Sequence, residues 1–296
     1  MDMNKYFKGY ILVMCSAILY GLMPLGAKII YANGVDHFSL VFYRNFLLLP
    51  LLFVLLKLRG ESLSISVSDE LHILPVSLMG LCITPSLLYA SYNYISSGMA
   101  TTLHFVYPAF VTLGNFLFLR EKLQRSHVLS VLLCTVGAAL FYSPGGSFHP
   151  LGVGLALLSA VSMATYVLLL GKYRISGISS TKLCFYMCLN TSALALPVCL
   201  LSGGLAVPAN ALCWVACFIF SVLISFGAVN LFQQGSFIIG GQRASILSTF
   251  EPITSLIVGV LVFQEALTAG ALLGAVLIIS ATALVALSDI RASAKN

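Results

Sequence analysis

Long apolar runs, separated by short polar connections, dominate the hydrophobic pattern of the chain from one end to the other. A transmembrane helix needs about 20 apolar residues to cross roughly 30 Å of hydrocarbon, and these runs have that length. The pattern therefore predicts an all-α polytopic membrane protein without a separate water-soluble domain. Ten transmembrane helices are predicted, at residues 9–30, 38–56, 72–95, 99–119, 126–143, 151–171, 181–201, 211–236, 243–263 and 268–288.

The positions of the basic residues support this count and orient the chain. Short loops that carry lysine and arginine stay on the cytoplasmic side of a membrane. Of the 15 lysine and arginine residues, all but Lys28 and Arg44 lie in the termini or near the connections after spans two, four, six and eight. We therefore expect both termini to be cytoplasmic. A missed helix would have scrambled this distribution.

Composition narrows the function classes. Hydrophobic residues make up 59% of the chain and charged residues 8%, whereas an average soluble domain has about 25% charged residues. We expect an integral membrane protein of the bacterial cytoplasmic membrane. The net charge of +6 follows from the loop distribution, and no basic patch is interleaved with aromatic residues, so nucleic-acid binding has no support.

The cysteines and the sequence motifs give no sign of a catalytic centre. All eight cysteines lie inside apolar runs, which is typical of small packing residues. No histidine joins the pairs Cys184/Cys188 and Cys213/Cys217 at metal-ligand spacing. The sequence has no HExxH or GxSxG motif and no phosphate-cradling loop. We therefore expect no metal, no other cofactor and no enzymatic activity.

The chain repeats itself after about 144 residues. The segment "ATTLHFVYPAFVTLGNFLFLREKL" (100–123) aligns with "ASILSTFEPITSLIVGVLVFQEAL" (244–267), so that Tyr107-Pro108 meets Glu251-Pro252. The alignment predicts two five-helix repeats, residues 1–146 and 147–296. Because five is odd, the second repeat would enter the membrane inverted. Inverted repeats are the architecture of many transporters, which bind substrate near the midplane between the halves.

A glutamate and a proline interrupt the ninth apolar run. Glu251 is predicted about eight residues inside the span, which at 1.5 Å per residue is about 12 Å deep. A carboxylate at that depth is costly and usually faces a cavity or a partner. It could bind a substrate amine or carry a coupling proton near neutral pH; alternatively, it hydrogen-bonds span nine to a neighbouring helix. Pro252 and its repeat partner Pro108 each free a backbone carbonyl, and we expect them to shape their helices.

Spans three, four, eight and nine each carry one stripe of polar side chains, and in a helix bundle these stripes should converge. The stripes predict a substrate pocket whose lining includes, besides Glu251, Tyr89, Asn93, His104, Tyr107, Asn230, Gln233 and Gln234. His104 could equally be a satisfied core residue. Hydrogen bonding between helices is the alternative for the three amides, although it needs fewer of them.

Arg44 is the deepest basic residue, about seven residues inside the second span. Its planar guanidinium suits a carboxylate, which could belong to the substrate or to the protein. A substrate contact and a structural or gating role both stay open. Lys28 lies near the outer end of the first span, where its long side chain can reach the interface.

Three segments carry a resemblance to a known family: "YPAFVTLGNFLFLREKL", "EPITSLIVGVLVFQEALTAGALLGAVLI" and "FYRNFLLLPLLF" (42–53). With these segments the chain resembles the drug/metabolite transporter superfamily, in its ten-helix branch with two EamA-like repeats. The resemblance covers essentially the whole chain. It implies an inverted-repeat carrier of small metabolites, such as amino acids or related compounds, often outward. One departure is that Tyr107 stands where the second half has Glu251, so a mechanism with symmetric carboxylates is not expected.

These observations predict a secondary transporter that exports small polar metabolites by alternating access through a site between the repeats. A proton-independent uniporter or exchanger is the alternative within transport. An intramembrane enzyme on lipid-linked substrates is the alternative from another class, but its catalytic groups should cluster at one membrane face. The expected partners are the small-molecule substrate, membrane lipids and protons as a candidate coupling ion. The sequence leaves the oligomeric state open, and a monomer is compatible with it.

Overall fold

The computed structural model describes residues 3–95, 97–118, 120, 124–140, 149–173, 178–263 and 268–293. Every regular element in these ranges is helical. The α-helices are α1 (Met3–Gly21), α2 (Met23–Tyr31), α3 (His37–Phe46), α4 (Leu49–Leu58), α5 (Val67–Ser77), α6 (Thr84–Ser91), α7 (Ser97–His104), α8 (Tyr107–Phe118), α9 (Arg125–Ala139), α10 (Pro150–Lys172), α11 (Ser180–Leu201), α12 (Ala211–Phe220), α13 (Val229–Ile239), α14 (Gly241–Ser248), α15 (Glu251–Phe263) and α16 (Ala269–Ser293). Two π-helical segments join them, π1 (Leu78–Ile83) between α5 and α6 and π2 (Ser221–Ala228) between α12 and α13.

The protein is a polytopic, all-helical membrane protein by the length and composition of its helices. Among the described residues, six helical stretches are long and apolar enough to cross a membrane: Tyr6–Tyr31, His37–Leu58, Val67–Ser91, Pro150–Lys172, Ser180–Leu201 and Ala211–Ile239. Shorter apolar helices occupy 107–118, 125–137 and 272–281. They lie within predicted spans four, five and ten, so the full count of ten spans stays a prediction.

Prolines divide several stretches that the hydrophobic pattern predicts as single helices. The breaks between α1 and α2, α3 and α4, α7 and α8, and α14 and α15 each come two or three residues before a proline, namely Pro24, Pro50, Pro108 and Pro252. Proline lacks the amide hydrogen and its ring clashes with the preceding helical turn. The last two breaks, at 105–106 and 249–250, lie at equivalent positions of the repeated sequence.

The two π-helical segments also lie at equivalent positions of the two halves. In π1 the carbonyl oxygen of Met79 accepts hydrogen bonds from the hydroxyls of Thr84, at 2.6 Å, and Ser162, at 3.0 Å. The backbone amide of Thr84 donates to the same oxygen in the i→i−5 bond of the π-turn, so the two hydroxyls add to this bond, and Ser162 ties π1 to α10. A π-turn of this kind often marks a functional site.

The first helix of each half packs into the opposite half. Helix α1 contacts α13, α14 and α15, and α10 makes the equivalent contacts with α6, α7 and α8. Helices α9 and α16 pack against each other, as do α11 and the pair α3 and α4. These contacts between the halves therefore recur with the roles of the two halves exchanged.

Small residues allow the closest of these contacts. A Cβ atom built on Gly235 of α13 would lie 2.4 Å from Val13 Cγ2 of α1, and one on Gly9 would lie 2.6 Å from Ile239 Cγ2. Close helix approach through small residues is typical of membrane proteins, where van der Waals packing replaces the hydrophobic effect. The α1–α13 contact thus holds one end of the interface between the halves together.

Candidate functional site

A small cavity lies between the two halves, close to the middle of the first predicted span. Its volume is about 50 Å³, enough for only one or two water molecules. Residues from both halves line it: Tyr20, Met23, Arg44, Gly80, Thr84, Pro85, Leu88, His104, Tyr107, Met163, Ser248 and Glu251. We call it the central cavity.

Equivalent residues of the two halves face each other across the central cavity. Three lining pairs are related by the repeat shift of 143 or 144 residues, namely Tyr20 with Met163, His104 with Ser248, and Tyr107 with Glu251. A cavity lined by such pairs lies between equivalent parts of the two halves. This position is where inverted-repeat transporters bind their substrates.

Glu251 is the first residue of α15, directly after the break at Thr249 and Phe250. The sequence predicts it inside a continuous helix, and the structure places it at a helix start instead. The proline at 252 explains the difference, because it removes a backbone donor at the point where the helix would continue. Among the described residues, no hydrogen bond or ion pair involves the carboxyl group of Glu251, which faces the central cavity.

His104 and Tyr107 flank the equivalent break in the first half. His104 Nδ1 lies 2.9 Å from the hydroxyl of Ser159 in α10, and the His104 and Tyr107 rings are 5.5 Å apart. The Tyr107 hydroxyl donates to the carbonyl oxygen of Ser245 in α14, at 3.3 Å. Both side chains therefore line the cavity and also bridge the two halves.

Arg44 points into the same cavity from α3. It is 3% exposed, its Nη1 donates to the Tyr89 hydroxyl at 3.3 Å, and its Nε has no hydrogen-bond partner in the described structure. Tyr89 also lines a second cavity, described below. The Arg44–Tyr89 contact thus forms part of the wall between the two cavities.

A matching contact exists in the second half. The shift that aligns the halves relates Phe42-Tyr43-Arg44 to Phe185-Tyr186-Met187 and Tyr89 to Gln233. Gln233 Nε2 contacts Met187 Sδ at 3.0 Å, the counterpart of the Arg44–Tyr89 contact. From the sequence, a gating role was considered only for Arg44. The repeated Phe-Tyr dipeptide is the signal that could have identified Met187 as its counterpart in the second half.

The structure does not bring all of the predicted pocket residues together. Gln233 is fully buried against Met187, and Asn230 and Gln234, one helical turn apart, hydrogen-bond to each other. Neither Gln233 nor the Asn230–Gln234 pair lines the central cavity. Asn93 lies in an exposed position at the rim of the second cavity.

Larger cavities open at opposite ends of the first predicted span. The Tyr31-end cavity has a volume of about 460 Å³ and is lined by Pro24, Ala27, Lys28, Tyr31, Val35, Asp36, His37, Tyr89, Tyr92, Asn93 and Ile95. The Tyr6-end cavity has a volume of about 630 Å³ and is lined by Tyr6, Asn115, Gln124, His127, Val167, Leu168, Gly171 and residues 236–243. Residues 24–28 and 92–95 correspond to 167–171 and 236–239 by the repeat. The two cavities therefore occupy equivalent positions in the two halves.

The chemistry of the central cavity suits a ligand that carries both charges. A carboxyl group and a guanidinium group line it without pairing to each other in the described structure. Buried charges usually have partners, so a bound cation at Glu251 and a bound anion at Arg44 would supply them. Among the described residues, no three histidine, cysteine, aspartate or glutamate side chains form a cluster that could hold a metal ion.

Comparison with known proteins assigns the family. The model of the EamA-like transporter family matches residues 7–143 and again residues 150–287. The chain belongs to the EamA-like transporter family. One match falls on each half of the sequence repeat. The chain is an integral membrane transporter.

Relatives of this EamA-like transporter occur in bacteria and in a plant. A WAT1-related protein of Arabidopsis thaliana is 23% identical over 94% of the chain and 82% of the relative. The uncharacterized transporter YvbV of Bacillus subtilis is 26% identical over 71% of each protein. An uncharacterized transporter of Clostridium kluyveri is 23% identical over 55% of each protein.

A solved structure has the same fold. A crystal structure described only as that of a protein aligns with a TM-score of 0.79 over 96% of this chain and 98% of its own, at 18% identity. The fold is thus shared at an identity too low to transfer a substrate.

Proposed function

We propose that this EamA-like transporter exports a small zwitterionic metabolite, such as an amino acid or a related polar compound, by alternating access through the central cavity. The observation that carries the proposal is the meeting of equivalent residues of the two repeats around that cavity. In an inverted-repeat carrier, exchange of the two halves' conformations opens a midplane site to one side and then to the other.

The topology belongs to the same proposal. Each repeat, 1–146 and 147–296, contributes five spans, the second repeat is inverted, and both termini lie in the cytoplasm. The recurring contacts of α1 and α10 with opposite halves support this arrangement. The distribution of basic residues supports a cytoplasmic position for the Tyr6 end and an outer position for the Tyr31 end.

The two charged groups define the proposed substrate. Glu251 binds the amine, and Arg44 binds the carboxylate, because its guanidinium offers several donors in a planar fork. A cavity of about 50 Å³ is too small for such a ligand, since ligand sites usually measure about 300–1,000 Å³. Substrate binding therefore requires the halves to separate, and movement of the Tyr89 ring away from Arg44 would widen the cavity toward the Tyr31 end.

Coupling to protons is proposed at Glu251. Its carboxyl group faces the cavity and has no partner among the described residues, so it can exchange a proton for a substrate amine. A proton-independent uniporter or exchanger uses the same cavity and differs only in this step.

Counterflow in proteoliposomes tests the proposal. Proteoliposomes that contain the purified transporter are loaded with a single amino acid, amine or nucleoside. Uptake of the same compound in labelled form is then measured with and without a pH gradient. We expect Glu251→Gln to weaken the apparent affinity for an amine-bearing substrate about 10- to 100-fold, because it removes a charge-assisted hydrogen bond worth about 1.5–3 kcal/mol. It should also abolish the effect of the pH gradient.

The matched control is Asp69→Asn, which makes the same acid-to-amide change at the start of α5, away from the cavity. Both variants are checked for folding by gel filtration in detergent. Normal transport and an unchanged pH response in a folded Glu251→Gln protein would contradict the assigned role. Persistent transport without any response to pH in the unmodified protein would favour the uniporter or exchanger.

A further inference from the structure

The Tyr6-end cavity differs chemically from its counterpart at the Tyr31 end. Asn115, His127 and Arg243 line it, and the repeat shift relates them to Gly259, Ala271 and Met99. These three side chains therefore have no polar counterparts at the repeat-related positions, whereas the Tyr31-end cavity carries the carboxylate of Asp36. Since packing of the two equivalent ends does not require them, their presence calls for a different explanation.

Helix α14 begins inside this cavity without a side-chain cap. Gly240, the residue before the helix, has a φ of +88° and no side chain to accept a hydrogen bond. The first amide groups of a helix lack intrahelical acceptors, and they attract negative charge together with the helix dipole. Arg243 is in the first turn, where its Nη1 donates to the carbonyl oxygen of Ile239 at 2.9 Å, and it adds a positive charge.

Two polar side chains in the same cavity are buried and have no hydrogen-bond partner among the residues that the structure describes. Ser236 and Asn115 are each 7% exposed. The Ser236 hydroxyl has no hydrogen-bond partner, and within the described part of the chain none reaches the Asn115 amide. Buried polar groups are normally hydrogen-bonded, so a ligand with several acceptor oxygens would satisfy both.

We infer that the Tyr6-end cavity is a binding site for a small anion that carries a carboxylate or phosphate group. The anion lies at the N-terminus of α14, beside Arg243, and accepts hydrogen bonds from Ser236 and Asn115. None of the described residues that line the cavity carries a carboxylate, so no negatively charged side chain among them repels such a ligand. The volume of about 630 Å³ lies within the range of small-molecule sites.

The site stands on its own as a binding site. Its use in transport rests on the proposed function: at the cytoplasmic end of an exporter, it would capture the acidic group of the substrate before the substrate reaches the central cavity. An anionic lipid headgroup offers the same chemistry as a soluble anion, and the experiment separates these two sources.

Thermal unfolding of the purified transporter in detergent tests binding without transport. Sodium phosphate and sodium acetate are titrated against sodium chloride at equal ionic strength, and the shift in Tm gives Kd. Arg243→Gln should raise Kd at least about tenfold, the loss expected for one charge-assisted hydrogen bond. Arg243→Lys should keep most of the binding, and Lys172→Gln, an exposed change at the same end outside the cavity, should keep all of it.

A second arm repeats the titration in nanodiscs with and without phosphatidylglycerol. Stabilisation by this lipid alone, lost in Arg243→Gln, would support the anion site and identify its occupant as a headgroup. If neither soluble anion nor the lipid stabilises the protein in a way that depends on Arg243, the inference is overturned. Should Arg243→Gln fail to fold, Ser236→Ala and Asn115→Ala replace it, and each should raise Kd by a smaller factor.

Because this test needs no transport, its failure leaves the central-cavity proposal untouched. Conversely, anion binding at Arg243 in a protein that fails to transport in counterflow would refute only the proposed function.

Discussion

Removal of the Tyr89 hydroxyl, by Tyr89→Phe, is the smallest change that should alter access to the central cavity. It accepts the hydrogen bond from Arg44 Nη1 at 3.3 Å and belongs to the wall between the central cavity and the Tyr31-end cavity. In Tyr89→Phe the ring stays and this bond is lost. In the closed conformation, the buried Arg44 guanidinium then has neither this partner nor, in the described structure, one at Nε. This destabilises the closed conformation, so the conformation open at the Tyr31 end should become more populated.

The size of the effect follows from the geometry. A hydrogen bond from a charged group contributes about 1.5–3 kcal/mol, but 3.3 Å is longer than the usual range of about 2.7–3.2 Å. We therefore expect about 1–1.5 kcal/mol, which corresponds to a roughly five- to tenfold change in the population of the open conformation.

Cysteine labelling measures this population. Met23 lines the central cavity, and Met23→Cys in a variant without the eight native cysteines provides one reactive group there. A membrane-impermeant thiol reagent added from outside should label it about five to ten times faster when Tyr89→Phe is present. The control is Tyr31→Phe, because the Tyr31 hydroxyl has no hydrogen-bond partner in the described structure although its ring packs edge-on against Tyr89. Equal labelling rates for the two tyrosine variants would refute the role of the Arg44–Tyr89 contact.

Two further predictions concern stability, measured by thermal unfolding in detergent. Gly137→Ala should destabilise the protein by about 1–3 kcal/mol through overpacking, because its Cβ would lie 2.9 Å from the carbonyl oxygen of Gly274. Gly154→Ala is the control: a Cβ there has nothing within 4 Å, so this change should stabilise the protein by about 0.5–1 kcal/mol. Equal effects of the two substitutions would contradict the α9–α16 packing. Asp36→Ala should cost about 1 kcal/mol, since Asp36 Oδ1 caps α3 by accepting two backbone hydrogen bonds at 2.8 and 3.0 Å. Asp36→Asn should retain most of that stability, and a loss as large as that of alanine would argue against capping.

The hydrophobic pattern predicts the class of the protein and most of its helices, because membrane crossing imposes a length on every apolar run. The pattern does not locate the helix breaks, since a proline can bend, kink or interrupt a helix depending on its neighbours. Glu251 therefore starts a helix instead of lying inside one. The local backbone at Glu251 was therefore not readable from the sequence, and its depth in the membrane stays a prediction.

The candidate site was predicted in part. The repeat alignment pairs Tyr107 with Glu251, and both line the central cavity with His104 and Arg44. The amides of span eight were expected there as well. Asn230 and Gln234 hydrogen-bond to each other one turn apart, as helical spacing permits. Gln233 contacts Met187 on another helix, and no sequence pattern on its own helix could indicate that partner.

The most direct test of the account is the orientation of the two repeats. Arg120 follows the end of α8, Thr268 precedes the start of α16, and both residues are exposed. They belong to connections that are equivalent in the two repeats. Each is replaced by a single cysteine in the cysteine-free protein and exposed to an impermeant thiol reagent in intact cells and in inside-out vesicles. The account predicts that the cysteine at 120 reacts only in the vesicles and the one at 268 only in the cells. Reaction of both cysteines from the same side would mean that the repeats are parallel, and the central cavity could then not be a site between inverted halves.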